Sequence, residues 1–151
     1  MDKKLKDSLS KIKLLICDID GVLTDGSFIK STSGEELRSF NALDGVGFVV
    51  LRLLDLNVKT AWITGRESLT TTQRAEELQI DDVYNGVIRK IDAYNELKKK
   101  YELSDSEVCF IGDDIIDIPI LEKVGFAVTV PNAPKYISCL LYTSDAADDD
   151  T

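Results

Sequence analysis

At 151 residues, 44% hydrophobic and 30% charged, the chain has the size and composition of one globular domain, able to bury roughly two thirds of its unfolded surface. A formal charge of −9 argues against nucleic acid or an anionic membrane as the main partner, and no apolar run approaches the ~20 residues of a membrane span. Histidine is absent, which removes serine–histidine triads, cysteine–histidine pairs, histidine nucleophiles and histidine-ligated zinc in one step.

The first residues, Met1 to Lys11, are polar and lysine-rich and lack the apolar centre of a signal peptide, so the cytoplasm is the expected compartment. The short apolar run from Lys13 then predicts a strand buried on both faces, delivering Asp18 and Asp20 before Gly21 breaks it. Residues i and i+2 of a strand point the same way, so both acids are expected to leave the strand end together, with Ile19 setting their spacing. Two carboxylates held that close are costly unless a cation sits between them or one takes a proton. Carboxylate oxygens select hard cations such as Mg²⁺.

Ser27–Lys30 and Leu37–Phe40 flank the turn-rich Ser31–Gly34 and predict a β-hairpin, a flap beside the first strand end. Asp44 is read as the N-cap of a helix through Leu56, with Val46, Val49, Val50, Leu53 and Leu54 as its apolar face. A second strand, Val58–Ile63, ends in Thr64-Gly65-Arg66, and a helix follows over Glu67–Leu78. A short strand, Asp82–Tyr84, precedes a helix from Lys90 to Tyr101 whose terminal lysines suit the helix dipole. Val108–Ile111 is a fourth strand, followed at once by Gly112-Asp113-Asp114; a short helix, Ile116–Lys123, and a last strand, Gly125–Val130, come after it. Strands alternating with helices imply a mostly parallel sheet covered on both faces, a Rossmann-like three-layer α/β/α sandwich. Cys17 and Cys109 fall inside predicted strands and are expected to be small buried hydrophobes.

Three strands thus end in Asp18-Ile19-Asp20, in Thr64-Gly65 and in Gly112-Asp113-Asp114. Parallel strands place those ends on one sheet edge, where ligands of open α/β sheets bind. Carboxylates from two strands, a hydroxyl from a third and a lysine such as Lys90 describe a site for Mg²⁺ and a phosphoryl group.

On these motifs the chain resembles phosphatases of the haloacid dehalogenase superfamily: Asp18-Ile19-Asp20-Gly21-Val22, then Thr64, then Lys90, then Gly112-Asp113-x-x-x-Asp117. The stretches 18–26, 40–47, 63–68, 74–78 and 112–117 are similar to the capless sugar-phosphatase branch that acts on 3-deoxy-D-manno-octulosonate (KDO) 8-phosphate. The resemblance implies Asp18 as nucleophile and Asp20 as proton shuttle. It implies Mg²⁺ on Asp18, the Asp20 carbonyl and Asp113, and phosphoryl binding by Thr64, Gly65 and Lys90. Arg66, with Asp44 and Gly45, would meet the sugar, while Asp117 and Asp114 would support the site from behind. Neither residues 20–44 nor 65–89 leave room for a cap domain, so a homotetramer is implied to shelter the site. Arg66 favours the octulosonate over a nonulosonate 9-phosphate, whose phosphatases tend to carry glutamate there. Arg89 stands where the branch commonly has aspartate.

Two other classes compete. A response-regulator receiver uses similar residues but phosphorylates an aspartate ending a middle strand, and a non-catalytic oligomerising domain of the same superfamily would not need the full motif set. Residues 139–151 are similar to a translated sequencing adapter and hold four of the 27 acidic residues. They are read as a non-native tail on a C-terminally truncated core of residues 1–138, lacking the arginine-bearing segment by which the branch reaches a neighbouring subunit.

Overall fold

The computed structural model describes residues 1–148, with side chains through Leu141. Five parallel strands form one sheet: β1 (Leu14–Cys17), β4 (Lys59–Thr64), β5 (Asp82–Asn85), β6 (Val108–Ile111) and β7 (Phe126–Val128), in the order β5-β4-β1-β6-β7. Leu14 pairs with both Lys59 and Val108, so the first strand is central and its carboxyl end opens between those of its two neighbours. The chain leaves β1 toward β4 on one side and returns to β6 on the other, which creates a crevice at that edge.

Strand alternation builds the two cores. Leu14 and Ile16, Ala61 and Ile63, and Val108 and Phe110 face α4 (Lys90–Tyr101), α5 (Ile118–Leu121) and α6 (Lys135–Asp148), meeting Tyr94, Leu97, Ile120 and Ile137. Cys17 and Trp62 face the other way, toward Phe48 of α2 (Ala42–Leu53) and Ala75 of α3 (Leu69–Leu78). The layered α/β/α sandwich is as the alternation of elements implied. Truncating a wholly buried ring such as Phe110 in such a core costs about 3–5 kcal/mol.

A helix, α1 (Lys3–Ser10), forms in the polar N-terminal stretch, capped by Asp2. Several local expectations are corrected. β1 stops at Cys17, before both acids. The flap is a hairpin whose paired arms hold two residues each, β2 (Ile29–Lys30) and β3 (Glu36–Leu37); Arg38 extends the returning arm past the paired residues, and Ser39 and Phe40 lie beyond it. α2 starts two residues before Asp44, because the Asn41 side chain accepts from the Leu43 amide at 2.8 Å and is the cap; Asp44 sits in the first turn, where its charge suits the dipole. Its buried stripe is Gly45 and Phe48, not the predicted valine–leucine face, since a bare glycine lets Arg74 and Leu78 of α3 approach closely. Val46, Val50, Leu53 and Leu54 remain exposed. The predicted 116–123 helix is a 3₁₀ turn, Ile115–Asp117, running into α5 with Pro119 in its first turn.

The intervals 20–44 and 65–89 hold the flap, the start of α2, α3 and β5, and among the described residues no cap domain covers the sheet edge. The expected division at residue 138 falls inside α6, where Leu141 still packs on the core; residues 149–151 of that tail lie outside the described residues. Among the described residues no helix is long and apolar enough to cross a membrane.

Candidate active site

Asp18 follows the central strand directly, its amide donating to the Ile111 carbonyl at 2.9 Å, so the sheet ladder itself fixes its backbone. Ile19 then turns inward, fully buried, and its carbonyl accepts from the amides of Val22, Leu23 and Thr24. That turn sends the two acids to different partners. Asp18 meets Lys90, whereas Asp20 meets Arg38 at 3.3 Å. Ile19 is therefore a core anchor as well as a spacer.

Lys90, the first residue of α4, has a side chain with no solvent exposure. Its Nζ lies 2.7 Å from Asp18 Oδ1 and 2.7 Å from Asp117 Oδ1. Burial pulls this lysine down, but Asp18 and Asp117 outweigh it and hold Lys90 above its ordinary value, so it stays cationic. Burial pushes Asp18 up to about 8 against the pull of Lys90, with the Asp117 charge adding to the push.

Asp117 is wholly buried, and its Oδ2 accepts from the amides of Asp113 and Asp114 at 3.0 and 3.1 Å. It thereby shapes the loop after β6 that carries Asp113. Burial raises the half-buried Asp113 carboxyl. Asp114 points elsewhere: it caps the 3₁₀ turn and accepts from Tyr136 at 2.7 Å, and this hydrogen bond holds its carboxyl below the usual range.

Carboxylate oxygens of Asp18, Asp113 and Asp117 all lie within 4.8 Å of one another. Asp113 Oδ1 is buried with no hydrogen-bond partner among the described residues. Such an orphaned oxygen beside a second carboxylate, among oxygen donors alone, fits a hard divalent cation. Gly21 makes the approach possible: at φ +88° it carries no Cβ, and one placed there would lie 1.9 Å from Asp113 Oδ2.

Thr64 ends β4, buried, with its hydroxyl within 3.4 Å of the Arg66 amide. Gly65 packs under Ile88 and Ile116, where a Cβ would come within 3.2 and 3.3 Å of their methyl carbons. Arg66 does not project freely. Its guanidinium stacks 3.9 Å over the Phe28 ring and lies 3.6 Å from Glu36. Asp44 lines an open groove of about 440 Å³ with Thr24, Asp25 and Ser39, beside the flap. Gly45 lies at the α2–α3 contact and lines a small cleft with Asp44. Arg89 turns outward to Asp92 at 3.1 Å.

The sequence reading overlooked Glu36 and Arg38. Their alternation on the returning arm of the flap was the available signal, since it puts both side chains on one face.

A buried carboxylate beside a cation cradle and a fixed lysine is equipped for attack on an electrophile whose charge the lysine and cation offset. Residues 55–142 match the family model of haloacid dehalogenase-like hydrolases. The chain belongs to this family. It is 42% identical over 124 residues to the 3-deoxy-D-manno-octulosonate 8-phosphate phosphatase of Yersinia pestis, covering 82% of this chain and 65% of that one. The chain thus spans slightly under two thirds of the length of such curated relatives. The solved Y. pestis phosphatase superposes with a TM-score of 0.88 at 36% identity, over 93% of this chain and 75% of that one. The phosphatase of Moraxella catarrhalis, solved with magnesium, phosphate and KDO, gives 0.84 at 33% identity, over 89% and 76%. As a haloacid dehalogenase-like hydrolase the chain has its motif residues at the crevice beside the central strand.

Proposed function

We propose that the chain hydrolyses the phosphate monoester of a sugar acid, with 3-deoxy-D-manno-octulosonate 8-phosphate as substrate, in the cytoplasm. The observation that carries this reading is Asp18, buried at the carboxyl end of β1 between the Lys90 ammonium and the orphaned Asp113 oxygen. The similarity to phosphatases of that ester supports the choice of substrate.

In this mechanism an Asp18 oxygen attacks phosphorus, the bond to the sugar oxygen breaks, and Asp20 gives that oxygen its proton. Asp20 then takes a proton from a water that attacks phosphorus, releasing phosphate and restoring Asp18. Lys90, the Thr64 hydroxyl and the Gly65 amide hold phosphoryl oxygens through both steps. Asp18, Asp113 and the Asp20 carbonyl would hold Mg²⁺, whose charge offsets the approach of two anions. Asp117 is already engaged with Lys90 and two amides, which suits an orienting part. The groove bounded by Asp44 and the flap takes the sugar, and Arg66, although shared with Glu36 and Phe28, is exposed enough to meet a substrate carboxylate.

Among the described residues the site has no cap of its own, and α2 with its C-cap leaves Leu43, Val46, Leu53 and Leu54 in solvent, with Ile29 and Leu37 exposed on the flap. This apolar surface supports assembly into a homotetramer that shelters the crevice.

Phosphate release from a panel of sugar phosphates, with and without Mg²⁺, tests the reading. Turnover of the octulosonate ester well above a nonulosonate 9-phosphate is expected. Equal rates on both would overturn the substrate assignment, and stoichiometric phosphate retention without release would indicate a receiver.

A further inference from the structure

Arg38 belongs to the flap, yet its side chain has no solvent exposure. It runs inward from the end of β3 and meets three groups. Nη1 lies 3.3 Å from Asp20 Oδ1 and donates to Thr71 Oγ1 of α3 at 3.2 Å, while Nε donates to Glu36 Oε1 at 3.2 Å. Glu36 extends the chain through its other oxygen, 3.6 Å from Arg66, which stacks on Phe28 of the same flap. A single charged line therefore runs from Asp20 through Arg38 and Glu36 to the turn after Thr64.

Two details mark this arginine as more than a strut. Nη2 is buried with no hydrogen-bond partner among the described residues, and Asp20 Oδ1 is buried with no donor aligned to it, the Arg38 contact being an ion pair by distance alone. A guanidinium retained only for stability would have its fork satisfied, because unpaired buried donors are expensive. Here Nη1 alone approaches the Asp20 carboxylate, at 3.3 Å, and the other end of the fork is left unpaired. Glu36 balances the arginine's charge, so Asp20 is not its sole counter-ion.

We propose that Arg38 is a positioning residue for Asp20. It holds the carboxylate in the orientation from which a leaving oxygen receives its proton, and it makes the flap a working part of the site within one chain. This rests on the assignment of Asp20 as the proton shuttle.

Proton delivery matters for a sugar alkoxide and little for p-nitrophenolate, which leaves without help. Arg38→Met is therefore measured in the first turnover, as release of the leaving alcohol, with the sugar-acid phosphate and with p-nitrophenyl phosphate, because the later water step needs Asp20 with either ester. The expected result is a fall of about 100-fold in the first-turnover rate on the sugar ester, the scale of a misplaced catalytic group, with substrate affinity and the first-turnover release of p-nitrophenolate nearly unchanged. Arg38→Lys should recover part of the loss, and Arg38→Met should cost nothing further in an Asp20→Asn background. Equal losses on both esters, or additive losses in the double variant, would overturn the proposal. Should the wild-type chain turn over neither ester, the phosphatase reading fails first. The contact is then read from a double-mutant cycle on denaturant unfolding, where coupling between positions 20 and 38 is expected and its absence would overturn the positioning role.

Discussion

Lys90 and Asp117 are the most deeply buried charged pair of the site, 2.7 Å apart with no solvent exposure on either side chain. A buried pair of this kind adds little net stability over an apolar one, but removing one partner leaves an uncompensated charge. The pair joins the start of α4 to the loop after β6 and so fixes the lysine that reaches Asp18.

Asp117→Ala should therefore destabilise the chain by about 3–5 kcal/mol, read as a lowered denaturant midpoint. Asp117→Asn, which keeps an acceptor for the Asp113 and Asp114 amides, should lose less. Equal midpoints for Asp117→Ala and the wild type would remove the pair from the account.

Lys90→Met should leave substrate affinity less affected than turnover and lower kcat by about 100-fold or more, since a donor to the transferring phosphoryl group acts chiefly in the transition state. Steady-state kinetics on the sugar ester checks this; a change confined to KM would assign the lysine to ground-state binding.

Mg²⁺ should raise the melting temperature in proportion to the logarithm of its concentration, by the equivalent of about 2.7 kcal/mol at a hundred times its Kd, and EDTA should reverse the gain. Gly21→Ala should abolish the Mg²⁺ response, because the added Cβ falls on the Asp113 carboxylate and the backbone is at φ +88°. A Gly21→Ala chain that folds and keeps the full Mg²⁺ shift would move the cation elsewhere.

The site was legible where chemistry sits next to a strand end. Asp18, Thr64 and Asp113 each follow or close a strand of the central three, so motif and sheet order together bring them to one edge. What could not be read is which way a side chain turns once the strand stops. β1 ends at Cys17, so the two-residue alternation no longer governs Asp20, and the Ile19 turn sends it to the flap. Asp44 illustrates a second limit: both it and Asn41 are good caps, and the choice falls to the residue whose oxygen meets the Leu43 amide. The apolar face of α2 was misjudged because the helix packs through Gly45, a residue with no hydrophobic signal to count.

Stability should decline on acidification through the turn before β6. Lys13 at 2.8 Å and the Ser104 amide hold Glu107 down to about 2, and hydrogen bonds from Lys98 and Tyr94 hold Asp105 below its usual range. Their folded values lie below their unfolded ones, so the contribution is complete above about pH 5 and is lost as pH falls toward about 2. Melting temperature against pH should be flatter in this window for Glu107→Gln than for the wild type; parallel curves would show that this turn contributes nothing to acid lability.

The most direct test of the central claim is trapping of the covalent intermediate. Wild-type chain turning over the sugar-acid phosphate with Mg²⁺ is quenched with borohydride, which reduces an acyl phosphate to the alcohol, and the digest is read by mass spectrometry. Homoserine at position 18, dependent on substrate and lost in Asp18→Asn, is the predicted result. Homoserine at another aspartate, or undiminished turnover by Asp18→Asn, would contradict the account.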